Sequence, residues 1–90
     1  MMAWTQFHSR INGEWWLVCS DTSLETSCMG RCDFETRTIS ICSAIRERKL
    51  VDTVIHEALH ASAPYLAEPE VERIATDLTG VFLSLLETQK

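Results

Sequence analysis

The chain has 90 residues, 46% of them apolar, with a formal net charge of −5. That length fits one domain spanning 1–90 and excludes several. The apolar share excludes a disordered chain, and the acidic balance argues against nucleic acid as a partner, because phosphate binding needs clustered Lys and Arg.

The first ten residues, MMAWTQFHSR, contain no apolar run of signal-peptide type, and no stretch approaches the ~18 apolar residues of a membrane span. The expectation is a soluble, cytoplasmic protein without a membrane partner. A domain this small buries only roughly 60–65% of its unfolded surface. A bound metal would therefore support folding as well as function.

In chain order, Asn12-Gly13 is a turn signal, and EWWLVC, 14–19, is bulky and β-prone. SDTSLETS, 20–27, reads as a loop. GRCDFETRTISIC, 30–42, has a turn-like centre, DFETR, and an alternating second half, with Ile39 and Ile41 on one face and Thr38 and Ser40 on the other. These stretches predict two or three antiparallel strands, with 37–42 at an exposed edge. Cys19, Cys28, Cys32 and Cys42 read as small reduced side chains in that sheet. The CxxxC spacing of Cys28 and Cys32 is not the tight pair of a zinc knuckle.

From about Arg48 the period becomes helical. Val51, Val54, Ile55, Ala58 and Leu59 form one stripe, and Pro64 ends the helix. SAPYLAEP, 62–69, is a connection. A second helix starts near Pro69 or Glu70, with Val71, Ile74, Ala75, Leu78, Val81, Phe82, Leu85 and Leu86 as its apolar stripe. Sheet followed by two helices is an α+β layout: a small antiparallel sheet packed on a first helix that carries the chemistry and a C-terminal helix.

The chemistry concentrates in TVIHEALHAS, 53–62. His56 and His60 lie four apart, so on a helix they project together and can hold one ion through neutral imidazoles. Glu57 is rotated about a sixth to a third of a turn from both. That position suits a base acting on the water the ion carries better than a third ligand. Two of the three histidines in the chain fall in this one motif. No third histidine follows, so a carboxylate from the second helix is the natural supplier. The candidates are Glu68, Glu70, Glu72 and Asp77. Glu72 is preferred because it falls a full turn inside the helix, whereas Glu68 and Glu70 fit a solvated helix start. Asp77 would orient a histidine from behind. Tyr65, the single tyrosine, reads mainly as a packing residue and secondarily as a donor to a carbonyl oxygen.

GRCDFETRTISI, VDTVIHEALHA and EVERIATDL together resemble the very small, phage- and bacteria-associated members of the gluzincin clan of zinc metallopeptidases, the minigluzincins. The resemblance covers about residues 30–86. It implies a minimal zincin-like core in which His56, His60 and Glu72 bind one zinc ion and Glu57 is the catalytic base. Asp77 lies five residues after Glu72, where the thermolysin-like pattern has an Asp four after its ligand. The expected activity is zinc-dependent hydrolysis of peptide bonds in a peptide or protein substrate. The alternative is a non-catalytic, zinc-stabilised acidic module that binds another protein as inhibitor or adaptor. A redox role for Cys28 and Cys32 is a weaker third reading.

Overall fold

The computed structural model describes residues 4–24 and 27–89. Four strands, β1 (Gln6–Ile11), β2 (Glu14–Asp21), β3 (Gly30–Asp33) and β4 (Thr38–Cys42), precede two helices, α1 (Glu47–Ser62) and α2 (Glu68–Thr88). The fold is α+β, as the order of sequence patterns implied.

The sheet departs from the expected two or three antiparallel strands. It has four strands in the order β1-β2-β4-β3 and is mixed. β1 and β2 form an antiparallel hairpin, β3 and β4 another, and β2 runs parallel to β4. The β1–β2 turn is Asn12-Gly13, with φ of 52° and 77°. Positive φ at both central residues is what a two-residue turn needs to match the twist of its strands. In the β3–β4 turn, Asp33 Oδ1 accepts the backbone N–H groups of Glu35 and Thr36 at 2.9 and 3.3 Å, which closes the DFET corner.

This order also corrects the edge assignment. Residues 38–42 form an interior strand, bonded on both sides, and β1 and β3 are the edges. The reason is burial. Ile39 and Ile41 are both fully buried, and the centre of the sheet is where two such side chains find cover on every side.

One sheet face carries Trp16, Val18, Ile39 and Ile41, which join Cys42, Ile45 and Ala61 in the core. Helix α1 lies on that face and brings Leu50, Val54 and Ala58 against it. Helix α2 packs on α1 and, among the described residues, on no strand. The molecule is therefore a stack of sheet, α1 and α2, with α1 in the middle. Only Val71, Ala75 and Thr79 of α2 are buried. The C-terminal half of the expected stripe is not: Leu78, Val81, Phe82, Leu85 and Leu86 are all exposed. None of the described helices is long and apolar enough to cross a membrane.

Candidate metal centre

Helix α1 sets His56 and His60 on successive turns of one face, each with about a quarter of its side chain exposed. Their Nε2 atoms stand 3.2 Å apart. The connection 63–67 is only five residues long, so α2 begins beside the last two turns of α1. Its first residue, Glu68, reaches both rings: Oε1 is 2.7 Å from His56 Nε2, and Oε2 is 3.2 Å from His60 Nε2. Among the described residues, these three form the one group of His, Cys, Asp and Glu side chains whose ligand atoms all fall within 4.8 Å of one another.

The carboxylate beside the histidines is thus Glu68, whereas the expected ligand was Glu72. Glu72 is exposed and lies one turn further along α2, ~6 Å down the axis, outside the converging group. The other acids are used elsewhere. Glu70 Oε1 accepts the Ala67 backbone N–H at 3.1 Å and caps the helix. Asp77 pairs with Arg73 at 3.6 Å on the exposed side of α2. Tyr65 is 85% exposed in the connection, which removes the packing role expected of it. All four cysteines are free, and none belongs to the group.

Glu57 sits differently from the ligands. It lies in the row Thr53, Glu57, Ala61 that α1 buries against the sheet. A carboxylate can occupy that row because β3 gives it room at Gly30. A Cβ on Gly30 would stand 2.9 Å from Glu57 Cγ, 2.9 Å from Thr53 Cγ2 and 3.0 Å from Glu57 Oε2. Gly30 is a site-shaping residue that the sequence reading passed over. A glycine at the start of a strand can mark close backbone approach, and that was the signal available.

Beside this contact opens a cleft of about 310 Å³, lined by Ser27, Cys28, Met29, Gly30, Asp52, Thr53, His56 and Glu57. Glu57 and the His56 imidazole face the same space, between the edge strand and α1. A larger hollow between the starts of α1 and the end of α2, about 400 Å³, has no such chemistry. Burial pushes the Glu57 carboxyl above its ordinary value. The two histidines pull it partly back, and Glu68 adds to the rise. A raised carboxyl beside imidazoles is the electrostatic setting of a general base.

The donor set fits a divalent metal. Two neutral imidazole nitrogens and one carboxylate oxygen leave a fourth position free, as in catalytic zinc sites. Two nitrogens each ~2.1 Å from a tetrahedral ion stand ~3.4 Å apart, close to the 3.2 Å between the rings. The histidines also sit in the C-terminal half of α1, whose dipole favours a cation. Comparison with protein-family models, curated proteins and solved structures gives no match for this chain.

Proposed function

We propose that the protein is a zinc-dependent metallopeptidase in which His56, His60 and Glu68 hold one ion and Glu57 is the general base. The observation that carries this reading is the convergence of three ligand atoms within 4.8 Å beside a buried carboxylate that opens on the same cleft. When bound, the ion would polarise a carbonyl and lower the pKa of a water towards ~7.

The chain's own residues supply the rest. Glu57 accepts the water's proton at its carboxylate and returns it to the leaving amine, so the charge it needs is restored at the end of each turnover. Its burial keeps bulk water from competing for that proton. Gly30 lets the carboxylate stand against β3 without a side chain between them. β3 is an edge strand, and its free backbone groups suit an extended peptide added alongside.

The test is elemental analysis and peptide hydrolysis on four proteins. The wild type is expected to carry about one zinc per chain. Glu57→Gln keeps the metal and loses activity by a factor on the order of 10² or more. His60→Ala loses the metal, as does Glu68→Ala, while Glu72→Ala keeps it. A wild type that neither carries nor takes up zinc overturns the proposal. Zinc that is held without any hydrolysis leaves the module reading, which one feature favours: Glu68 ties α2 to a helix that is its sole partner among the described elements.

A further inference from the structure

Residues 78–86 read LTGVFLSLL and contain no charge, although the chain as a whole carries −5. They form the C-terminal half of α2. Leu83 is half-buried towards α1, but Leu78, Val81, Phe82, Leu85 and Leu86 are 39%, 64%, 50%, 51% and 56% exposed. A helix that is apolar almost all round belongs in an interior, and here the described structure covers one side only. Leu78, Val81, Phe82 and Leu85 follow the i, i+3, i+4, i+7 spacing of a helix-pairing seam.

The cause lies in the layering, since this part of α2 still runs beside α1, with Thr79 bonded to Asp52. Because α2 rests on α1 alone, nothing else in the described structure reaches its outer side.

We propose that this surface is a self-association site, on which a second copy of the chain docks its own α2 antiparallel about a two-fold axis. Area supports that occupant. At these exposures the five side chains offer apolar surface on the order of 400–500 Å². That matches the ~300–600 Å² of the largest, often functional, patch on a typical monomer, and is about half or more of the ~800 Å² each partner brings to a standard interface. Charge supports it as well. Two copies of an acidic protein repel over most of their surfaces, and the uncharged run is where they can meet without that cost. An anionic membrane is disfavoured: Arg73 is the single cation of α2, whereas lipid-bound helices carry a basic polar face. A two-fold pair uses the same patch twice, so an uncharged stripe needs no complementary partner. The pair leaves the metal centre open, since Val81 lies 13 residues, ~20 Å of helix, beyond Glu68.

Sedimentation equilibrium over a dilution series tests this, in reductant so that exposed Cys28 forms no cross-link. The wild type is expected to reach twice the 10.2 kDa chain mass and to dissociate on dilution. Val81→Glu and Phe82→Glu, both at exposed sites, should raise the dissociation constant at least tenfold while circular dichroism stays unchanged. Thr76→Glu, on the opposite side of the same helix, should leave it as in the wild type. A wild type at monomer mass at every concentration overturns the proposal. So does a dimer that persists in both Val81→Glu and Phe82→Glu. Zinc content is unaffected in every case, so this outcome is separate from that of the peptidase reading.

Discussion

Gly30 shows how much one missing side chain controls. A methyl there meets Glu57 and Thr53 at 2.9 Å, a separation at which something must move. Overpacking of this kind costs about 1–3 kcal/mol. Gly30→Ala is therefore expected to lower the melting temperature and to turn Glu57 away from the cleft. Hydrolysis should fall while the zinc content holds, because His56, His60 and Glu68 lie outside that contact. Cys32, two residues along the same strand, gives a second expectation. Burial pushes its thiol from the usual 9.0 up to about 11, and the charges of Glu57 and Asp33 add to the rise. Between those values the folded chain still holds a proton that the unfolded chain has released. This contribution to stability is thus full below 9.0 and is lost as pH rises towards about 11. Thermal melts of wild type and Cys32→Ser across that window check it, and the loss should be smaller in the variant.

At the scale of elements, α2 is the helix most dependent on the site. Its described partner is α1, and two of its three buried residues, Val71 and Ala75, lie in its first half. An ion shared by His56, His60 and Glu68 would pin that half to α1. Chelation is expected to lower the melting point, by an amount equivalent to about 4 kcal/mol where free zinc had stood a thousandfold above its dissociation constant. Hydrogen exchange should rise in α2 before it rises in β2 or β4. The helices were legible in the sequence because long apolar periods and Pro64 marked them. The Asn12-Gly13 and DFET turns were legible from their chemistry. β1 was missed because most of its residues are exposed and only Phe7 and Ile11 of its six are apolar. Glu68 was passed over because the first turn of a helix is an ordinary place for an acid. Its role depends on the five-residue connection, whose geometry no single residue announces.

The whole molecule is a three-layer stack that the sequence foretold in its order but not in its layering. Sequence periodicity shows that a helix has an apolar face; it does not show how much of that face another element will cover. The stripe of α2 was read as buried from Val71 to Leu86, and the buried part ends at Thr79. The central place of β4 was equally hidden, because the parallel pairing of β2 with β4 joins segments separated by the whole of β3.

The connection 63–67 is short, surface-lying and carries an 85% exposed tyrosine, and it separates His56 and His60 on one side from Glu68 on the other. The sheet and α1 close their core without α2. A cut in those five residues would leave only packing on α1 and the Glu68 contacts to hold the carboxylate beside the imidazoles. That connection is thus a five-residue tether between the carboxylate and the two imidazoles.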